Sequence, residues 1–106
     1  MGLFDILQHR DINDGLERLR ETPGAVLLDV RGPEEYARGH IPGSVNLELA
    51  SIAEAKRLFA DRCTPLFVYC LSGGRSRSAA AALKRMGFAN VTDLGGISAY
   101  RGALER

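Results

Sequence analysis

Short unbroken apolar runs alternate along this chain with stretches that carry helix punctuation. The runs are Ala25-Val26-Leu27-Leu28-Asp29-Val30, Ser44-Val45-Asn46-Leu47, Leu66-Phe67-Val68-Tyr69 and Val91-Thr92-Asp93-Leu94, with a weaker one at Phe4 to Leu7. None shows the in-out alternation of a strand with one wet face. Such runs suit strands covered on both faces, the usual state of a parallel sheet. The pieces between them read as helices. Asn13 or Asp14 is placed to cap a helix presenting Leu16 and Leu19. Pro33 suits a first helical position, Glu34 and Glu35 favour the positive end of the helix, and Gly39 closes it. Ser51 and Glu54 have capping-box spacing, followed by a stripe of Ile52, Ala55 and Phe59. Ser76 to Met86 is rich in helix formers and ends at Gly87. Strand alternating with helix predicts an α/β fold with a mainly parallel sheet.

The size fits one domain, residues 1–106, with enough chain to bury a core without disulfides or metal. A net charge of +1 gives no electrostatic footprint for nucleic acid or a membrane surface. No apolar run approaches the ~20 residues of a membrane span. Met1 to Arg10 lacks the pattern of a signal peptide, and Ile6 stands where an N-myristoylation motif wants Ser or Thr. A cytoplasmic setting with free thiols is therefore expected. Two cysteines, Cys63 and Cys70, cannot make a four-cysteine zinc site, and His9 and His40 lack ligand spacing. Neither metal nor cofactor is expected.

The chemistry concentrates after Tyr69. Ligands in open α/β sheets bind beyond the carboxyl ends of strands, and Cys70 falls there. The loop Leu71-Ser72-Gly73-Gly74-Arg75 leads into the helix from Ser76. Its glycines allow backbone conformations barred to other residues, and a tight loop entering a helix turns several N–H groups inward. Such a nest, with Arg75 close by, favours a thiolate over the free-cysteine pKa of ~8.5. The same nest would hold a persulfide anion or the anionic group of a donor. A buried cysteine acting as a small hydrophobe is the plainer alternative. Cys63 lies at the other end of the strand; at ~3.3 Å per residue the two sulfurs are too far apart for a disulfide. Cys63 is read as structural or incidental, and an external thiol must then complete any cycle.

Three blocks resemble the single-domain rhodaneses over about residues 12 to 104. The first is Leu28-Asp29-Val30-Arg31 continuing through Glu34-Glu35-Tyr36 to Gly39-His40-Ile41-Pro42-Gly43-Ser44-Val45-Asn46. The second is Val68-Tyr69-Cys70 with Gly73, Arg75 and Ser76; the third is Gly87-Phe88, Val91 and Leu94-Gly95-Gly96-Ile97. The resemblance implies a five-stranded, mainly parallel sheet with helices on both faces. It also implies transfer of a sulfane sulfur from thiosulfate or a persulfide to cyanide, a thiol or a protein acceptor, through a persulfide on Cys70. Leu71, Ser72, Gly73, Gly74, Arg75 and Ser76 then form the substrate cradle. Tyr100 stands where many members have tryptophan.

Several marked residues have more than one reading. Asp29 and Arg31 end a strand and are read as a structural pair rather than a catalytic one. His40 is read as a turn residue rather than a general base. Arg75 is a loop staple, a substrate ligand, or both, and Arg77 and Lys84 form a solvated stripe. Two other functions compete. Tyrosine phosphatases also place Cys and Arg on a strand–loop–helix, but with a loop one residue longer than the four that separate Cys70 from Arg75. A non-catalytic binding module is the other, and retention of Cys70 in a complete loop argues against it.

Overall fold

The computed structural model describes residues 11–106. Helix α1 (Ile12–Arg20) leads to strand β1 (Val26–Asp29), the short helix α2 (Pro33–Arg38) and strand β2 (Val45–Asn46). A 3-10 stretch (Leu49–Glu54) and one α-turn, α3 (Ala55–Leu58), precede strand β3 (Leu66–Cys70). Helix α4 (Gly74–Arg85), strand β4 (Val91–Gly96) and a 3-10 turn (Ile97–Ala99) complete the series. The sheet order is β2-β1-β3-β4, and every pairing is parallel. Among the described residues the sheet thus has four strands rather than the five expected. The run Phe4 to Leu7, the weakest strand candidate, lies outside the described residues.

Alternate side chains divide the interior into two layers. Leu28, Val30, Leu66, Val68 and Cys70 face one way and pack with Ala79, Leu83 and Phe88. The expected stripe of Ile52, Ala55 and Phe59 lies on this layer too. Leu27, Phe67 and Tyr69 face the other way against Ile12, Leu16 and Ile41. All five residues of β3 are buried, so the strand that ends in Cys70 is the covered centre of the sheet. Double coverage is what an unbroken apolar run demands.

Helix boundaries differ from the sequence expectations for local reasons. The cap of α1 is Asp11, whose carboxylate accepts from the N–H groups of Asn13 and Asp14, not Asn13 or Asp14 itself. The Ser51–Glu54 segment is 3-10, because Ser51 departs from helical dihedrals (φ −110°, ψ 17°) and the chain kinks there. Helix α4 starts at Gly74, earlier than Ser76, because Gly73 (φ +116°) turns the chain into the helix. Arg77 and Lys84 are exposed on it, as a solvated stripe should be.

The carboxyl end of β1 is fastened by a buried ion pair. Asp29 is fully buried and Arg31 nearly so. The Asp29 carboxylate accepts from the Arg31 backbone N–H at 2.9 Å, from Nε at 3.0 Å and from Nη2 at 2.7 Å. Nη2 also donates to the Gly39 carbonyl at 2.7 Å, and Asn46 Nδ2 donates to the carbonyls of Asp29 and Arg31. This pair therefore fixes where β1, the turn after α2 and β2 meet. Removing one member leaves the other charge buried and unpaired, a loss of about 3–5 kcal/mol. Asp29→Ala should lower unfolding stability by that amount, seen as a reduced urea midpoint with an unchanged slope.

Candidate active site

Cys70 ends β3 with its side chain buried beside the loop that follows. The Gly73 N–H donates to Sγ at 3.0 Å. Burial pushes the thiol pKa up. Donation from the Ser76 hydroxyl and from the backbone N–H groups of Ser76, Gly73 and Arg75 outweighs it, so the net shift is downward. In the observed geometry the Ser76 hydroxyl lies 3.1 Å from the Gly73 carbonyl, to which it donates. A hydroxyl rotates to suit its partner, so it can turn to a sulfur anion when one forms. The nest expected from the glycines is present, and backbone dipoles supply most of it.

Two features hold the loop in shape. The first is Gly73, whose positive φ ends the loop with no side chain to resist. The second comes from β4. A Cβ on Gly96 would overlap the Leu71 carbonyl and approach Ser72 Cα within 2.8 Å. The loop backbone therefore lies directly on the Gly96 backbone, and the Ser98 N–H donates to the Leu71 carbonyl at 3.2 Å. Leu71 and Ser72 are exposed, so the loop presents its first two side chains to solvent.

Arg75 occupies a more limited place than the sequence allowed. Its Nη1 and Nη2 donate to Glu35 Oε1 and Oε2 at 2.7 and 3.0 Å, a bidentate clasp between the start of α4 and α2. Glu35 Oε1 also accepts from the Gly32 N–H at 3.0 Å. Of the readings left open, the staple is the one observed. Both terminal nitrogens are committed to Glu35, and no hydrogen bond joins the guanidinium to Sγ. The Arg75 hydrogen bonds, opposed by burial and reinforced by the Gly32 N–H, hold the Glu35 carboxyl at about 2, down from 4.5.

The remaining candidates fall away from the sulfur. His40 Nδ1 bonds the Tyr36 carbonyl at 2.8 Å and its ring stacks on Tyr36 at 3.7 Å, which is a turn role. Cys63 is exposed in the turn before β3, and both cysteines are free. Sequence reasoning missed Glu35 and Gly96 as supports of the loop. Glu35 was credited only with a favourable place at a helix start, while its partner lies forty residues on. The signal for Gly96 was present as a paired glycine at a strand end, where a close backbone approach is one standard reason for glycine.

A thiol at the carboxyl end of the central strand of a parallel sheet, in a ring of inward N–H groups, defines a thiolate-using transferase site. The chain matches the family model described as rhodanese-like domain over residues 13–103. It is 45% identical over 86 residues to a thiosulfate sulfurtransferase GlpE of Pseudomonas fluorescens, covering 80% of this chain and 77% of that one. A solved rhodanese with anions from E. coli superposes with a TM-score of 0.71 at 29% identity, over 77% of this chain and 98% of that one. The rhodanese-like domain of an Anabaena protein gives 0.79 at 26% identity, over 91% and 76%. This chain belongs to the rhodanese-like family, and it is a rhodanese-type sulfurtransferase.

The clasp carries a pH signature. Glu35 has a depressed pKa in the folded protein, so its contribution to stability is complete above the unfolded value and fades as pH falls from 4.5 towards 2. Urea midpoints measured from pH 6 to 2.5 should fall more steeply for the wild type than for Glu35→Gln, the two curves converging in acid. Gly96→Ala should push the loop off β4 and lower sulfurtransferase activity at least tenfold while the circular dichroism spectrum is kept.

Proposed function

We propose that Cys70 carries the sulfane sulfur as a persulfide and that Leu71, Ser72, Gly73, Gly74, Arg75 and Ser76 form its cradle. The observation that carries this reading is the ring of donors around Sγ, which lowers the thiol pKa in a buried setting. Thiosulfate is the donor this chemistry suits. The Cys70 thiolate attacks the outer sulfur, a Cys70–S bond forms, and sulfite leaves with the electron pair of the broken S–S bond. The product anion, Cys70–S–S⁻, keeps the N–H nest satisfied. A thiophilic acceptor then removes the outer sulfur and returns the thiolate.

Within this scheme Arg75 works through Glu35, by fixing the loop, rather than by holding the donor. The loop has the shorter spacing between Cys70 and Arg75, which makes a ring for one sulfur rather than for a tetrahedral phosphate. The donor is a small anion, the acceptor a small nucleophile, a thiol or a protein, and neither nucleic acid nor a membrane takes part. No helix among the described residues is long and apolar enough to cross a membrane. The reducing cytoplasm suits a chain whose two cysteines are both free.

The test is intact mass before and after thiosulfate. The wild type and Cys63→Ser should each gain one sulfur atom, lost again on adding cyanide. Cys70→Ser should gain none and should form thiocyanate at less than a thousandth of the wild-type rate. A Cys70→Ser protein that still takes up sulfur would overturn the assignment. Iodoacetamide should alkylate Cys70 with a pH midpoint below the ~8.5 of a free cysteine.

A further inference from the structure

Beside the Cys70 loop lies a cleft of about 430 Å³. Thiosulfate needs only a fraction of that space, which falls in the range of pockets that hold small organic ligands. Leu71 forms one wall, and its Cα is ~3.8 Å from that of Cys70. Ile97, Tyr100 and Leu104 continue an apolar surface opposite. Leu71 and Leu104 are 46% and 50% exposed, so this wall is open to a ligand. An inorganic anion has no use for it; a carbon skeleton does.

The floor is charged. Arg31 lines the cleft although its side chain is only 7% exposed. Its Nε and Nη2 are taken by Asp29 and the Gly39 carbonyl. No described residue accepts from Nη1, and Nη1 is not among the fully enclosed atoms left without a partner. Nη1 therefore reaches the cleft with a donor to spare, on a guanidinium already held rigid by Asp29. Glu35, the one carboxylate on the wall, is spent on Arg75, and Arg38 adds a second cation at the rim.

The geometry points to this cleft as the seat of an organic thiol acceptor that carries a carboxylate, with Arg31 Nη1 as the anchor of that carboxylate and the Leu71–Leu104 wall as the seat of its carbon chain. The inference rests on the sulfurtransferase activity and on Cys70 as carrier. In the transfer, the acceptor thiolate attacks the outer sulfur of Cys70–S–SH. A new S–S bond forms, the Cys70–S bond breaks with its electron pair left on Sγ, and the proton stays on the transferred sulfur. The products are the acceptor persulfide and the Cys70 thiolate, with no outside oxidant or reductant. Arg31 thereby sets acceptor specificity in addition to holding β1.

The experiment compares 3-mercaptopropionate with its methyl ester as acceptors, with thiosulfate as donor and cyanide as the reference acceptor. One charge-assisted hydrogen bond should make KM for the acid about tenfold or more lower than for the ester. Added salt should narrow that gap, because screening acts on the acid alone. Leu104→Glu, at an exposed position that need not disturb folding, places a carboxylate on the facing wall and should bring the two KM values together. Equal KM values for acid and ester in the wild type, or turnover with cyanide but with neither thiol, would overturn the assignment of the cleft. Failure with cyanide as well would instead strike at the sulfur-transfer scheme.

Discussion

The Asp29–Arg31 pair holds the floor on which everything at the carboxyl edge of the sheet stands. Both charges are out of water, where an unpaired partner is far more costly than the pair is favourable. Their hydrogen bonds reach the Gly39 carbonyl and, through Asn46, the two-residue strand β2. Such a short strand has little pairing of its own to set its register. The turn after α2 places Glu35 within reach of Arg75, and Arg75 opens the helix that follows the sulfur loop. A buried electrostatic contact on one strand therefore controls the shape of a loop on the next.

The site stabilises negative charge on sulfur chiefly with dipoles. The guanidinium that the sequence places nearest the cysteine is neutralised by Glu35. The backbone N–H groups of Gly73, Arg75 and Ser76 and the Ser76 hydroxyl act on Sγ itself. Fixed dipoles in a buried setting need little reorganisation as charge moves from thiolate to persulfide and back. Their directions depend on backbone dihedrals, so glycines at 73 and 96 matter as much as any charged group.

Much of this was readable from residues alone. Unbroken apolar runs place the strands at 26–29, 66–70 and 91–96, because double burial leaves no other composition workable. The cysteine, the loop and the helix after it follow from the glycines and the run of alanines. What escaped was pairwise and distant. Glu35 finding Arg75, or Gly96 lying under Leu71, is a fact about the packing of separate elements, and periodicity carries no such information. The kink at Ser51 escaped for a different reason: a capping-box spacing states that a helix can begin, and the tertiary packing of Ile52 and Phe59 decided that it would be a tighter turn.

The parallel order of the strands has a consequence for how the thiol comes to life during folding. No neighbouring pair in this sheet can close as a hairpin, so each ladder must wait for a long crossover. The cradle draws on Glu35, on the loop from 71 to 76 and on Gly96 and Ser98, which are scattered over much of the sequence. Until β4 docks, Cys70 is an ordinary thiol on a half-built sheet. Its nucleophilicity is thus an emergent property of the completed topology, and a partly folded chain is chemically mute towards the sulfur compounds around it.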